Sequence, residues 1–280
     1  MTTATPTLNQ NSDASVRPLA ADTAVALRAL MLRDLAVLRA NLGGFLARTV
    51  LQPLLLVFVF TYVFPQIGQD VGGEQGAGFS GILIAGVVAN TVLFQGVLSV
   101  SVPLVNDFGH TREIEDRVLA PVPVTLIAVG KIVAGALECL LAGLVVFPIA
   151  AVIPAAPIPF DISWPVLLTI VPLACVMSGA MGLMFGTMFE PHTVPVLFGV
   201  ILVPVTFLGC IYYTWTDLHA IAWLQIGSLV NPLVYLSEGM RAALTPVSHM
   251  SLVGVYAALT AFTALFTWRG IHRFTTRVIT

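Results

Sequence analysis

Long apolar runs alternate with short polar stretches along most of the chain. A helix needs about 20 mostly apolar residues to cross a bilayer, and six runs reach that length with at most two charged residues each. We therefore predict an all-α polytopic membrane protein with six transmembrane helices. The predicted spans are about 45–66, 80–104, 126–152, 165–189, 194–213 and 250–269.

A further uncharged run, 218–237, differs from the others because Asn231-Pro232 interrupts it and Glu238 and Arg241 close it. Proline breaks helical hydrogen bonding, and broken helices at membrane depth occur where they are buried in protein or line a cavity. A seventh full span would also put the C-terminus on the opposite side. We therefore predict that 214–245 forms a re-entrant or interfacial helical hairpin between spans five and six.

Composition strengthens the membrane assignment. Of the 280 residues, 58% are apolar and 9% are charged, whereas soluble domains carry roughly 25% charged residues. The net charge of −2 leaves no basic field for binding nucleic acid.

The distribution of arginines predicts the orientation, because basic residues concentrate in cytoplasmic loops. With six spans, ten of the eleven arginines fall on one side, and only Arg241 falls on the other. Both termini are therefore predicted to be cytoplasmic, and the hairpin is predicted to be extracellular.

The chain before the first span divides into two parts. Residues 1–18 are polar, and we expect them to be disordered; no short apolar core lies near Met1, so we predict no signal peptide. Residues 19–44 follow a helical pattern that includes Arg28, Arg33 and Arg39. Such a helix lies in the membrane interface with its arginines at the lipid headgroups, or it packs on a partner protein. The remainder, 45–280, is the transmembrane domain.

The segment 106–121 is the most densely charged part of the chain and is much longer than two helices need as a connection. It is either a solvated connector or a short docking helix that presents alternating charges to a cytosolic partner. Its charged residues are Asp107, Arg112, Glu113, Glu115, Asp116 and Arg117.

Glu138 lies near the middle of the third predicted span, where a charged side chain costs at least about 2.5–3.5 kcal/mol to insert. It belongs to a ridge with Gly130, Ala134 and Ala142 at four-residue spacing, which is typical of close helix packing. Lys131 lies seven residues earlier on a nearby face. We favour a structural role for Glu138, paired or protonated at a helix interface, over a role in a transport path or proton relay.

Motifs for enzymatic chemistry are missing from the sequence. It contains no phosphate-binding P-loop, no His-Glu-x-x-His and no Gly-x-Ser-x-Gly. The five histidines lack metal-ligand spacing, and the three cysteines lie far apart in apolar runs. We assign no catalytic residue, metal site or cofactor to this chain, so pumping driven by ATP would need an ATPase on another chain.

Four segments, in order, resemble the membrane subunit (permease) of ABC-2 type exporters, in particular the daunorubicin-resistance-like drug permeases. They are the pre-span helix running into Phe45 through Gln52-Pro53-Leu54, then Leu83-Ile84-Ala85-Gly86, then Thr111-Arg-Glu-Ile-Glu-Asp-Arg-Val-Leu-Ala-Pro-Val-Pro-Val124 followed by Gly130-Lys131, and finally Asn231-Pro-Leu-Val-Tyr-Leu-Ser-Glu-Gly-Met-Arg241. The resemblance covers about residues 25–275.

The resemblance implies an architecture and a mechanism. Two permease subunits, identical or homologous, pair in the bacterial inner membrane, and each docks a cytosolic P-loop ATPase that binds ATP and Mg²⁺. The pre-span helix then acts as a connecting helix, 106–120 as the coupling helix, and the hairpin as extracellular re-entrant helices that close the exit. The residues expected to shape this gate are Asn231, Pro232, Tyr235, Glu238 and Arg241. A contact is expected between Glu238 and Arg241, which are three residues apart on a helix.

The pattern around Arg112–Pro123 looks closer to drug-type permeases, which favours a small amphiphile (drug, antibiotic or lipid) as the cargo. Three alternatives stay open at this point. One is a polysaccharide or glycolipid exporter of the same family. Another is a proton-coupled secondary transporter that uses Glu138, although the two halves show no internal repeat. The third is a membrane enzyme acting on lipid, for which several polar residues would have to converge at one depth.

Overall fold

The computed structural model describes residues 28, 32–33, 36, 39–40, 42–67, 76–111, 123–154, 160–193 and 197–279. Every regular element in these ranges is a helix, so the predicted all-α class is confirmed for the described part of the chain. The helices are α1 (Leu42–Phe58), α2 (Gly76–Asn106), α3 (Val124–Val152), α4 (Trp164–Met188), α5 (Val203–Phe207), α6 (Ala222–Ser228), α7 (Pro232–Leu244) and α8 (Leu252–Ile279). Three of these helices are extended by π-helical turns, which follow α1 at Val59–Val63, follow α2 at Asp107–Thr111 and precede α5 at Leu197–Leu202. A last α-helical turn, Phe64–Gln66, ends the first helix.

Five helices in the described ranges are long and apolar enough to cross a membrane. They are Leu42–Gln66, Gly78–Gly109, Val124–Val152, Trp164–Met188 and Leu252–Val278. They match five of the six predicted spans. In the remaining one, 194–213, the described helical residues run from Leu197 to Phe207 and turns follow them. The sixth span therefore stays a prediction.

Helices α2 and α4 form the centre of the bundle and are the most buried of the five long helices, whereas α1 and α8 lie at its periphery. Small residues let the backbones of membrane helices approach closely. A Cβ atom on Gly182 of α4 would lie 2.7 Å from the carbonyl oxygen of Val97 on α2. A larger residue at this position would force the two central helices apart.

One end of the bundle, named here the basic end, joins the ends of α2, α4 and α8 to the start of α3. Lys131 Nζ lies 3.5 Å from Asp107 Oδ2. Arg277 Nη1 donates to the Thr187 carbonyl oxygen at 2.9 Å, and its guanidinium carbon lies 4.6 Å from the centre of the Phe108 ring. Helix α8 therefore continues beyond the predicted end of its span at 269, because its last turns pack against the end of α4.

The opposite end carries a helical cap, residues 208–250, which contains a cap loop, residues 210–215, and the helices α6 and α7. Helix α7 packs against α2, α4 and α8, and Tyr235 is its one residue that is partly exposed. The predicted hairpin 214–245 is thus helical on both sides of a turn. Its depth in a membrane stays a prediction.

Candidate functional site

Glu238 and Arg241 form an ion pair inside the helical cap, so the contact predicted from their spacing is present. Both side chains are fully buried, and Arg241 Nη1 lies 2.5 Å from Glu238 Oε1. Burial lowers the pKa of the Arg241 guanidinium, and the charge of the Glu238 carboxylate opposes this shift. A buried charge is tolerated only when it is paired and hydrogen-bonded. Neither side chain could therefore stay both buried and charged without the other.

The ion pair fastens the cap loop to α7. Arg241 Nη2 donates to the carbonyl oxygens of Cys210 at 2.7 Å and of Tyr213 at 3.3 Å. Glu238 Oε1 accepts a hydrogen bond from Trp215 N at 2.8 Å. Both ends of the cap loop are therefore bound to this one pair of side chains.

The other three predicted gate residues also lie in the cap. Asn231 caps the N-terminus of α7, where its Oδ1 accepts from Leu233 N at 3.0 Å, and Pro232 occupies the first turn. Asn231 Nδ2 donates to the Val205 carbonyl oxygen at 2.7 Å, which joins the cap to α5. The Tyr235 hydroxyl donates to a carbonyl oxygen just after α6. The five residues therefore share one structural unit.

A cavity of about 370 Å³, named here the polar cleft, lies between α1, α2 and α5. Its described lining combines apolar side chains with hydroxyl and amide groups, and it includes no charged side chain. The hydroxyl and amide side chains that it includes are Thr49, Gln52, Asn90, Thr91, Gln95, Thr206 and Tyr212.

Two amides of the cleft each contact a threonine hydroxyl of a neighbouring helix. Thr49 Oγ1 donates to Gln95 Oε1 at 3.1 Å. Thr206 Oγ1 lies 3.4 Å from Asn90 Oδ1 and donates its one proton to the Leu202 carbonyl oxygen at 2.9 Å. The NH₂ groups of Asn90 and Gln95, and the side chain of Gln52, form no hydrogen bond with a described residue. Polar groups at membrane depth need partners, so these groups are donors available to a molecule in the cleft.

An aromatic cluster lies at the cap end of the cleft. The ring centre of Tyr212, in the cap loop, lies 6.0 Å from that of Phe60 and 6.5 Å from that of Phe207. A Cβ atom on Gly86 would lie 2.5 Å from the Ile211 carbonyl oxygen, so α2 also contacts the cap loop directly. The cap loop thus connects the buried ion pair to this end of the cleft.

Lys131 and Glu138, the two polar residues predicted to lie inside the membrane, have different surroundings in the structure. Lys131 pairs with Asp107 at the basic end, and each side chain is 12% exposed. Asp107 belongs to the charged segment 106–121, named here the coupling segment because it contains the predicted coupling helix. This ion pair therefore joins the start of that segment to α3. Glu138 is half-buried about two turns further along α3, and it is not among the residues that line the polar cleft.

The remaining predicted residues are only partly within the described ranges. The other residues of the coupling segment lie outside them: Arg112, Glu113, Glu115, Asp116 and Arg117. Residues 1–18 also lie outside the described ranges. Arg28, Arg33 and Arg39 are helical and exposed, and their contact with lipid or with a partner stays a prediction.

The charged residues of the sequence do not indicate the polar cleft, because the described side chains that line it are neutral. A signal is present in the sequence: Asn90, Thr91 and Gln95 lie on one face of α2 at helical spacing within an otherwise apolar run. Gln52 and Thr206 come from other segments, so only the fold joins them to this face. Among the described residues, no cluster of His, Cys, Asp or Glu could hold a metal ion.

The five membrane-length helices of the described ranges define a multi-pass helical membrane protein. The sequence profile of the ABC-2 type transporter family matches residues 25–245, and the chain belongs to this family. The resemblance to ABC-2 permeases is thereby confirmed, and the chain is a transport permease.

Relatives with curated names agree with this assignment. The chain is 27% identical to the inner membrane transport permease YadH of Escherichia coli K12 over 226 residues, which cover 78% of this chain and 84% of the relative. The YadH protein of Shigella flexneri matches to the same extent. No solved structure matches the chain.

Proposed function

We propose that the chain is the membrane-spanning subunit of an ATP-driven exporter in a bacterial inner membrane. Its cargo is a small amphiphile (drug, antibiotic or lipid) that leaves the cytoplasm or the inner leaflet. The polar cleft carries this proposal, because it offers hydrogen-bond donors at membrane depth between apolar walls. The names of the relatives, inner membrane transport permeases, support the location, and the distribution of arginines supports cytoplasmic termini.

The lining of the cleft favours a small amphiphile over an ion or a polymer. An ion would need opposite charges or several converging ligands, and the described lining has no charged side chain. A volume of about 370 Å³ lies at the small end of the range for ligand pockets, roughly 300–1,000 Å³. The NH₂ groups of Asn90 and Gln95 would donate to oxygen atoms of the cargo, while Phe94 and its apolar neighbours contact its hydrophobic part.

A second permease, either a copy of this chain or a homologue, completes the path in this proposal. Leu51 and Leu55 of α1 are exposed, and they lie beside Gln52, which lines the cleft. A partner helix packed on this face would convert a one-sided cleft into an enclosed route along the dimer interface. The helical cap and Tyr212 would then form the extracellular gate of that route.

A separate P-loop ATPase that binds ATP and Mg²⁺ would supply the energy, since this chain contains no P-loop. We assign its docking site to the coupling segment 106–121 on the cytoplasmic side. The ion pair of Asp107 with Lys131 supports this assignment, because a displacement of the segment would be passed to both α2 and α3.

Two matched threonine variants test the role of the cleft. Thr206→Val removes a hydroxyl from the cleft, and Thr263→Val removes one from α8. Each hydroxyl donates to the carbonyl oxygen four residues earlier, at 2.9 Å and 2.7 Å. In proteoliposomes that contain the permease and its ATPase, we expect only Thr206→Val to reduce kcat/KM for export of a fluorescent amphiphile. The loss of one hydrogen bond between this hydroxyl and the cargo, of about 1 kcal/mol, corresponds to a decrease of about fivefold in kcat/KM. Equal decreases in the two variants would contradict the assignment.

Charge reversal at Glu115 and Asp116 (both to Lys) tests the coupling segment. We expect the ATPase to dissociate or to hydrolyse ATP without transport, while the permease remains inserted because the change lies outside the predicted spans. The measurement is the amount of ATPase retained per permease after affinity purification in mild detergent, together with export in vesicles. Glu190→Lys, at an exposed acid in the connection that follows α4, is the control. Normal ATPase binding and export in the double variant would remove the segment from the mechanism.

A further inference from the structure

An open groove of about 580 Å³ lies at the basic end, between the end of α4 and the last turns of α8. Thr187 contributes to it from α4. The side chains from α8 are Trp268, Arg269, His272, Arg273, Thr276 and Arg277. The polar cleft and the predicted coupling segment do not include these residues, so the groove is a separate site.

Helical spacing and one close approach build the groove. Arg269, Arg273 and Arg277 follow one another at four-residue intervals and therefore form one row along α8. A Cβ atom on Gly270 would lie 3.1 Å from Leu183 Cδ2, so α8 approaches the end of α4 closely. This approach lets Arg277 bind the Thr187 carbonyl oxygen, which fixes the inner end of the row.

The other two arginines of the row remain available for a ligand. Neither Arg269 nor Arg273 forms an ion pair or hydrogen bond with a described residue, and both are exposed. The guanidinium carbon of Arg269 lies 5.3 Å from the centre of the Trp268 ring. No acidic side chain is among the described residues that line the groove. The described part of the groove therefore presents two exposed cations without a counter-charge.

We infer that this groove binds the phosphate of an anionic phospholipid in the leaflet at the basic end. Tryptophan and arginine at the end of a membrane-length helix mark the headgroup region, and arginines next to a span attract anionic lipids. Trp268 is 62% exposed, and Leu265, one turn before Arg269, is 45% exposed. An acyl chain can therefore lie along α8 while its phosphate occupies the groove, which favours a lipid over free phosphate.

Brominated lipids, which quench tryptophan fluorescence, test this inference on the full-length permease in bilayers. The contribution of Trp268 is the difference in quenching between the wild type and Trp268→Phe. We expect brominated phosphatidylglycerol to quench Trp268 at a lower mole fraction than brominated phosphatidylcholine does. Arg269→Gln with Arg273→Gln should weaken this preference by about fivefold for each arginine removed. Both side chains are exposed, so the fold should be retained.

The control variant Arg28→Gln with Arg39→Gln removes the same charge from exposed residues outside the groove. An equal loss of preference in this control would overturn the proposal, because net charge alone would then explain it. Inorganic phosphate should leave the quenching unchanged, and displacement by phosphate would overturn the assignment to a lipid. If the Arg269/Arg273 variant lost its ATPase but kept its lipid preference, the groove would be a protein-docking surface and the proposal would be wrong.

Discussion

Removing the charge of Glu238 should release the cap loop. The carboxylate accepts hydrogen bonds from Arg241 Nη1, Trp215 N and Met250 N. In Glu238→Gln, one carboxylate oxygen becomes an NH₂ group that faces at least one of these donors. Arg241 also loses its counter-charge while it remains buried. Breaking a buried ion pair in this way costs about 3–5 kcal/mol.

Local opening of the cap can relieve much of this cost, because it lets water reach the arginine while the bundle stays folded. If the closed state is destabilised by about 3 kcal/mol, the open fraction rises about a hundredfold, since about 1.4 kcal/mol corresponds to a factor of ten.

Cys210 reports on this opening because it belongs to the cap loop and is fully buried. In a Cys139→Ala/Cys175→Ala background, which removes the other two cysteines, the rate of labelling by a maleimide measures the exposure of Cys210 alone. We expect Glu238→Gln to raise this rate by about a hundredfold. The double variant Glu238→Gln/Arg241→Gln should raise it less, because it keeps a donor and an acceptor without an unpaired buried charge.

The control is Glu190→Gln, which removes an exposed carboxylate at the opposite end of the bundle and should change the rate by no more than about twofold. An unchanged rate in Glu238→Gln would refute the argument that the ion pair holds the cap loop. Equal rates in Glu238→Gln and in the double variant would show that the unpaired charge of Arg241 is not the cause.

Three further predictions concern residues described above. Gly86→Ala should lower Tm, because its methyl group would overlap the cap loop and overpacking costs about 1–3 kcal/mol. The control Gly227→Ala, whose methyl group meets nothing within 4 Å, should leave Tm unchanged. Equal decreases in Tm would contradict the reasoning. Asp107→Lys should impair ATP-driven export, and adding Lys131→Asp should restore part of it by re-forming the ion pair. If export did not recover, this ion pair would have no role in coupling. Glu138→Gln should leave export unchanged, and complete loss with intact assembly would identify a functional acid.

The sequence determines the class, the family and the course of most of the chain, because these properties depend on local patterns. Only helices or closed barrels satisfy their backbone groups inside a bilayer, so apolar runs of about 20 residues identify helices directly. The cap contains two further local signals. Asn231 before Pro232 predicts the start of a helix, and the spacing of Glu238 and Arg241 predicts their contact.

Only the tertiary structure decides which faces of the helices meet. Asn90 and Thr206 are 116 residues apart, and Thr187 and Arg277 are 90 residues apart, yet each pair is in contact. Lipid tails are as apolar as a protein interior, so hydrophobicity alone does not tell a face that packs on another helix from one that faces lipid. Close packing at small residues such as Gly182 makes that choice. The polar cleft therefore arises from helix packing rather than from any one segment of the sequence, whereas the groove at the basic end takes its arginine row from α8 alone and only its Thr187 side from α4.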